Sequence, residues 1–211
     1  IFSRASLLVS DLGTRPMKIQ AQTFERLVLG QLYETTGVRE NQDILDHYIS
    51  VIEGKTGSLI AAAGEYGSLL AGASEEVIQM LATYGELVGV AFQLADDVID
   101  IVSDGASSGK TQGTDLREGV PTLPTILLNR AAEAGDESAR QVQTLIEADL
   151  SSDDALAVAV SALAAHPVTQ EAWQIAYDWA DRAIAAIAPL PDSTAKAALE
   201  SFAHAVVHRE G

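Results

Sequence analysis

The sequence predicts an all-α protein, a helical bundle formed by one domain over residues 1–211. Apolar residues recur at helical rather than alternating spacing, for example at Phe24, Val28 and Leu32. Clusters of Gly, Pro, Ser and Asp separate the apolar segments, as expected of helix caps and turns. We find no convincing strand pattern and no shift in composition that would mark a second domain.

The first segments of the chain have the pattern of two helices. The opening stretch IFSRASLLVSDLG is amphipathic and lacks an initiator methionine, so we expect an N-terminal portion before Ile1. The next helix is predicted from Thr14 to Thr36. Pro16 lies in its first turn, where a missing N–H costs little, and Gly37 follows its end, where a left-handed cap is favourable.

The stretch from Asn41 to Gly72 predicts two helical pieces that meet at EGKTG, residues 53–57. Two glycines there would weaken an isolated helix by roughly 1 kcal/mol each, which indicates a kink or a close functional approach. After it, Ser74 and the two glutamates that follow predict the start of a helix that runs to about Ser103.

The stretch DGASSGKTQGTDLREGVPTLP, residues 104–124, is the longest one rich in Gly, Ser, Thr, Asp and Pro, and it predicts a functional loop. Alanine-rich amphipathic helices are predicted in the last part of the chain. They cover residues 122–134, 137–148, 152–165, 168–188 and 193–209.

The composition argues against several classes of protein. The formal net charge of −17 would repel phosphate backbones, so we expect no nucleic-acid partner. The chain has no cysteine, which excludes disulfides and thiolate metal sites and fits a cytoplasmic location. No uninterrupted apolar stretch approaches the roughly 20 residues that span a bilayer, so we expect no transmembrane segment.

The segment VAFQLADDVID, residues 90–100, places three carboxylates in an apolar helical pattern. Asp96 and Asp100 share one helix face, one turn after Gln93, while Asp97 is rotated around the axis. Carboxylates one turn apart repel each other unless a cation lies between them, and oxygen ligands that leave room for water and phosphate suit Mg²⁺. A solvated acidic strip on an acidic protein is the alternative, and both interpretations stay open from these residues alone.

Lys55 and Thr56 lie at the predicted helix interruption, in the segment GKTG. Glycines on both sides allow a ligand to come close to the backbone, so this lysine is a candidate phosphate contact. The P-loop pattern GxxxxGK[ST] is absent, because the residues before Lys55 are HYISVIEG. An ordinary surface lysine is the alternative interpretation.

The predicted loop carries further charges at Lys110, Asp115 and Arg117. Cations on a segment that follows a metal-binding helix could close over an anionic substrate and exclude water. A flexible, solvated loop is the alternative.

Several motifs in this order resemble those of the trans-polyprenyl diphosphate synthase family: EGKTGSLI, FQLADDVID and SGKTQGTDLREGVPTLP. GQLYET is similar to that family's helix with a Gly-Gln pair, and ESFAHAVVHRE is similar to its closing helix. The resemblance covers nearly the whole chain. It implies an isoprenoid-synthase-type helical bundle around a central cavity, assembled as a homodimer.

The resemblance also implies an activity, a chain-elongating prenyl transfer. An allylic diphosphate ionises with the help of Mg²⁺, and the double bond of isopentenyl diphosphate attacks the carbocation. Proton loss then leaves a polyprenyl diphosphate that is longer by one isoprene unit. The implied partners are therefore these two diphosphates, and the implied cofactor is Mg²⁺.

Site residues follow from the same resemblance. Asp96, Asp97 and Asp100 match the second aspartate-rich motif, which binds Mg²⁺ and through it the allylic diphosphate. The residues that match diphosphate contacts are Lys55, Thr56, Gln93 and Lys110. We expect Lys55 and the three aspartates to be catalytic, because metal and lysine stabilise charge that grows on the leaving group.

Two features depart from the family's pattern. The first aspartate-rich motif, with the basic residues that hold isopentenyl diphosphate, does not occur in the sequence and would precede Ile1. We therefore expect the printed sequence alone to be inactive and the longer chain to be active. Val120 stands where many members carry a lysine, so one diphosphate cation is lost or supplied elsewhere.

Two other functions stay open at this point. A terpene cyclase on the same scaffold usually carries a metal triad of Asn or Asp, Ser or Thr, and Glu, which DDVID does not provide. A regulatory subunit that has lost the first motif is a non-catalytic alternative. Product length is not predicted, because in this family it depends largely on residues around the missing motif.

Overall fold

A computed structural model of the protein describes residues 2–103 and 112–209, and most of them are helical. The helices are α1 (Phe2–Ser10), α2 (Thr14–Thr36), α3 (Ile44–Ile52), α4 (Ser58–Leu70), α5 (Glu75–Val102), α6 (Thr114–Glu118), α7 (Leu123–Glu133), α8 (Glu137–Ile146), α9 (Asp153–Ala165), α10 (Pro167–Ala186) and α11 (Thr194–Val207). No strand occurs within these two described ranges. The predicted all-α fold class is confirmed.

The chain divides into two compact units. The first contains Ile1–Ala91 and Trp179–His204, and the second contains Phe92–Asp178 and Ala205–Gly211. Helix α5 contributes residues 75–91 to the first unit and residues 92–102 to the second. A single domain over residues 1–211 stays a prediction.

The predicted helix ends agree closely with the observed ones. Gly37 caps α2 with a φ of 73°, and its N–H donates to the carbonyl of Tyr33. Asp43 caps α3, because its side chain accepts the N–H groups of Leu45 and Asp46 at 2.9 and 3.0 Å. The first cap satisfies a carbonyl at the end of α2, and the second satisfies N–H groups that have no partner inside α3.

In the first unit, the interruption predicted at EGKTG is a single π-helical turn, Glu53–Gly57, between α3 and α4. The sequence predicted a kink here but not its type. Helix α2 packs against this π turn and against both of its neighbours, α3 and α4. A π turn inserts one extra residue, so it changes the face on which the following side chains lie.

Glycines bring α5 into backbone contact with the π turn and α4. A Cβ added to Gly89 would lie 2.7 Å from the Cα of Gly57, and one added to Gly85 would lie 2.6 Å from the carbonyl oxygen of Ile60. No side chain fits at such distances. The close approach fixes the π turn against a helix that is itself fully buried at Val88.

In the second unit, α7 packs on α8, α8 on α9, and α6 on α9. Buried aliphatic side chains fill the spaces between these helices. Large ones among them are Leu123, Ile126, Leu128 and Leu163. This apolar packing holds the last turns of α5, whose residues Leu94, Val98 and Ile101 are also buried.

Part of the region predicted as a loop is helical. Residues 104–111 lie outside the described residues, and Thr114–Glu118 forms the short helix α6. Glycines with φ of 72° and 68° bracket it at positions 113 and 119. Five residues are too few for a periodic apolar pattern, which is why the sequence did not indicate this helix.

Helix α5 is long and apolar enough to cross a membrane by length and composition alone. In the fold, 44% of its most apolar 18-residue stretch is buried. The core helices of soluble proteins pass the same test, so this is weak evidence for a membrane span.

Candidate functional site

Lys55 lies in the π turn of the first unit, where it is held by a carboxylate of α2. Its Nζ donates to Oε2 of Glu34 at 2.6 Å, and Gln31 donates to the same oxygen at 2.7 Å. The lysine side chain is 30% exposed, so it is only partly covered by neighbouring residues. A partly exposed lysine whose ammonium is held by one carboxylate suits contact with an anionic group.

Close helix packing explains why Glu34 reaches Lys55. A Cβ added to Gly30 would lie 3.2 Å from the Cα of Gly54, so α2 and the π turn touch through their backbones. The stem of Lys55 passes over the same glycine, with its Cγ 3.2 Å from that added Cβ. Sequence reasoning noted GQLYET only for its Gly-Gln pair and missed Glu34, which stands one helical turn after Gly30.

Glu53 is the first residue of the π turn, and its environment disfavours a charge. Burial raises the pKa of this carboxyl above its ordinary value, and repulsion by Glu86 raises it further. Arg26 and Arg182 act in the opposite direction. The sequence did not single out Glu53, because its burial depends on helices that are distant along the chain.

The three aspartates of the second unit lie in different settings. The side chain of Asp96 is 45% exposed, and Asp100 is half-buried. Asp97 is only 5% exposed, and its Oδ2 accepts the backbone N–H of Leu123, at the start of α7, at 3.0 Å. Asp97 therefore stabilises the positive end of a helix, while its two neighbours are more open to solvent.

Gln93 and Asp100 make further contacts in the same unit. Gln93 lies one turn before Asp97 and donates to its Oδ1 over a long 3.5 Å. Asp100 accepts the N–H of Asp115 at 3.4 Å through its carboxylate, and the N–H of Gly113 at 3.0 Å through its carbonyl. The segment that begins α6 is thus bound to the end of the aspartate motif.

Arg209 was not predicted as a site residue, yet it contacts Asp96 directly. Its Nη2 donates to Asp96 Oδ1 at 2.9 Å and to the carbonyl of Phe92 at 3.1 Å. The guanidinium carbon also lies 3.9 Å from the centre of the Phe92 ring. The only signal in the sequence was the similarity of the last helix to a family's closing helix, which assigned no role to this arginine.

The predicted loop residues differ in outcome. Lys110 lies outside the described residues, so its predicted contact with a diphosphate stays a prediction. Arg117 pairs with Asp153 on α9 at 2.6 Å. Val120, which replaces a lysine of the family pattern, is exposed.

The carboxylates form an incomplete ligand set for a metal. Within residues 2–103 and 112–209, no group of three or more His, Asp or Glu side chains is placed to hold an ion alone. Asp96 and Asp100 offer only oxygen ligands on one helix face. This chemistry fits Mg²⁺, which commonly takes one or two carboxylates and completes its shell with water and phosphate oxygens.

Comparisons with known proteins agree on one family. The chain matches the polyprenyl synthetase family over residues 1–163. It is 40% identical over 211 residues to the nonaprenyl diphosphate synthase of Mycobacterium tuberculosis, covering 100% of this chain and 62% of that protein. It is 33% identical to the octaprenyl diphosphate synthase of Escherichia coli, covering 100% of this chain and 64% of that protein.

A solved structure gives the same result. The geranylgeranyl pyrophosphate synthase of Corynebacterium glutamicum, complexed with calcium and isoprenyl diphosphate, is 40% identical and has a TM-score of 0.87. The match covers 99% of this chain and 64% of that one. The chain therefore spans less than two thirds of the length of these relatives. The resemblance drawn from the motifs is confirmed, and the chain belongs to the polyprenyl synthetase family.

Proposed function

We propose that the protein containing this chain is a chain-elongating prenyltransferase that condenses an allylic diphosphate with isopentenyl diphosphate. In this reaction the allylic C–O bond breaks and the diphosphate leaves with the electron pair. The double bond of isopentenyl diphosphate attacks the cation, and loss of a proton gives the longer polyprenyl diphosphate. Family membership together with the Lys55–Glu34 pair is the observation that carries the proposal.

In this proposal the ammonium of Lys55 donates a hydrogen bond to a diphosphate oxygen, and Thr56 contacts the same group. Glu34 holds the lysine head in place, so little side-chain entropy is lost when the anion binds. The ammonium stabilises negative charge that increases on the leaving group as the C–O bond breaks. Gln93 and Lys110 are proposed as further diphosphate contacts, as the family motifs imply.

Asp96 and Asp100 would hold Mg²⁺ through their partly exposed carboxylates, and the metal-binding and catalytic role that the family motif implies for Asp97 stays a prediction. When bound, the ion would supply positive charge to the diphosphate leaving group. The role we propose for Asp97 is positioning, because its buried Oδ2 accepts the first N–H of α7. This fixes the turn of α5 from which Asp96 and Asp100 project.

The deciding experiment incubates the intact protein with farnesyl diphosphate, isopentenyl diphosphate and Mg²⁺ and sizes the products by mass spectrometry. We expect a series of longer prenyl diphosphates and, with Asp96→Ala, turnover lower by orders of magnitude at unchanged helical content. A hydrocarbon formed without isopentenyl diphosphate would instead identify a cyclase. No product, together with stimulation of a second synthase subunit, would identify a regulatory subunit.

Lys55→Ala tests the diphosphate contact separately. We expect weaker binding of inorganic pyrophosphate by about 1.5–3 kcal/mol, the usual range for a hydrogen bond to a charged group. Lys18→Ala, at an exposed lysine of α2, is the matched control and should bind pyrophosphate like the unchanged protein. Equal affinities of the two variants would exclude this role for Lys55.

Homodimeric assembly is a further proposal, and α2 is the proposed interface. Apolar side chains at Phe24, Val28 and Leu32 are exposed on this helix. Burying them against a second copy would remove apolar surface from water. Val28→Glu should lower the dimer fraction in sedimentation velocity runs, whereas Gln22→Glu, an exposed control on α2, should not. A cytoplasmic location likewise stays a prediction.

A further inference from the structure

Two hydrogen bonds from Ser58 close the π turn Glu53–Gly57. The N–H of Ser58 donates to the carbonyl of Glu53, the wide hydrogen bond that defines the turn. The hydroxyl of Ser58 donates to the carbonyl of Gly54 at 2.6 Å. π turns are rare and occur mostly as single turns inside α-helices, so contacts from neighbouring elements decide whether one is kept.

Arg26 on α2 supplies such a contact at the start of the turn. Its Nη2 donates to the carbonyl of Glu53 at 3.3 Å. The same guanidinium forms a two-pronged ion pair with Glu86 on α5, in which Nη1 lies 3.2 Å from Oε2. One side chain therefore connects α2, the first residue of the π turn and α5.

Glu86 contacts the other end of the turn. A Cβ added to Gly57 would lie 3.2 Å from the carbonyl oxygen of Glu86 and 3.3 Å from its Cγ. The Arg26–Glu86 pair thus touches the first and the last residue of the turn. Lys55 and Thr56 lie between these two contact points.

A second ion pair connects α2 and α5 at a distance from the π turn. Arg15 on α2 pairs with Glu75 on α5, and the sequence separation of 60 residues equals that of Arg26 and Glu86. The Arg15 pair lies about three helical turns earlier on each helix. It connects the same two helices but is remote along both from the residues that contact the π turn.

We propose that Arg26 is a positioning residue that holds the π turn, and so the heads of Lys55 and Thr56, in the orientation that binds a diphosphate. The diphosphate part of this inference rests on the proposed function. Without the bond to the carbonyl of Glu53, the turn is free to return to regular helical pairing. A return to α-helical pairing would rotate the side chains that follow by about 100° relative to α3.

Hydrogen exchange tests the positioning without any ligand. Arg26→Met in the intact protein should speed exchange in the peptide 53–60 about tenfold, since a lost charge-assisted bond changes the opening equilibrium by that order. Arg15→Met should leave this peptide unchanged. Equal exchange of both variants would overturn the inference. If Arg26→Met does not fold, Arg26→Lys, which keeps a cation but not the second donor arm, serves in its place.

A charge swap separates positioning from simple stabilisation. Arg26→Glu combined with Glu86→Arg restores an ion pair between α2 and α5 but removes the donor to the carbonyl of Glu53. We expect the double variant to have a Tm close to that of the unsubstituted protein. Its peptide 53–60 should still exchange as fast as in Arg26→Met. Full recovery of both would assign Arg26 to helix–helix stability only and overturn the inference.

The affinity for inorganic pyrophosphate in the presence of Mg²⁺ tests whether the π turn matters for diphosphate binding. We expect Arg26→Met to raise Kd about tenfold and Arg15→Met to leave it unchanged. Absence of pyrophosphate binding by the protein without substitutions would contradict the proposed function. The hydrogen-exchange result would still show whether Arg26 holds the π turn. Normal pyrophosphate binding by Arg26→Met would overturn the inference for Lys55 and Thr56.

Discussion

The backbone N–H of Leu123 donates to the buried carboxylate of Asp97 at 3.0 Å, so the middle aspartate of the motif binds the first turn of α7. Its neighbour Asp96, one residue earlier on the same helix, contacts Arg209 and keeps an exposed carboxylate. The division is therefore between a buried aspartate bonded to α7 and a partly exposed one that contacts Arg209.

This division predicts different effects on stability. Asp97→Ala should lower the free energy of unfolding by about 1–3 kcal/mol, because it leaves a buried N–H without its acceptor. Asp96→Ala removes only a partly exposed ion pair and should cost at most about 1 kcal/mol. Urea unfolding at pH 7, followed by circular dichroism, measures both. Equal losses would contradict the assignment of Asp97 to positioning.

Arg209→Ala should strengthen binding of a divalent cation to the aspartate motif. The guanidinium lies 2.9 Å from Asp96 Oδ1, where it competes with a metal for the carboxylate and repels it. Removing a partly exposed ion pair worth about 0.5–1 kcal/mol should raise affinity about two- to fivefold. Titration of Mn²⁺, followed by electron paramagnetic resonance, measures the change. A weaker affinity would mean that Arg209 orients Asp96 for the metal.

Glu53→Gln should stabilise the protein at neutral pH but not in acid. Burial and Glu86 raise the pKa of this carboxyl above its ordinary 4.5, so the folded state binds its proton more tightly than the unfolded state does. Stability from the protonated form is complete below pH 4.5 and is lost as pH rises through the folded pKa. The variant avoids this loss.

Melting curves at several pH values check this prediction. The gain in Tm should appear at pH 7 and vanish below the ordinary pKa of a glutamate. Glu25→Gln, at an exposed glutamate of α2, is the control for the loss of one negative charge. A gain that is independent of pH would point to a cause other than the charge of Glu53.

Two glycine substitutions should change the free energy of unfolding in opposite directions. Gly89→Ala places a Cβ 2.7 Å from the Cα of Gly57 and should cost about 1–3 kcal/mol through overpacking. Gly67→Ala meets no atom within 4 Å and should gain about 0.5–1 kcal/mol from helix propensity. Thermal unfolding of both variants measures the two signs. Destabilisation of similar size in both would refute the close contact between α5 and the π turn.

The helices were largely predictable because their signals are local. Spacing of apolar residues, the cap at Ser74 and the glycines at 37 and 54 act within a few residues of chain. The short helix Thr114–Glu118 was missed, since one turn is too short for a pattern and its ends depend on two left-handed glycines.

The sequence by itself determined the all-α fold, the break at residues 53–57 and the chemical types of the candidate site residues, because periodicity and residue chemistry are local properties of the chain. Only the tertiary structure decided which groups meet: Glu34 with Lys55, and Arg209 with Asp96. These pairs join residues far apart in sequence, and their contacts arise from helix packing. The same packing buried Asp97 and left Asp96 partly exposed. Two adjacent aspartates look alike in the sequence, so the sequence could not predict this difference.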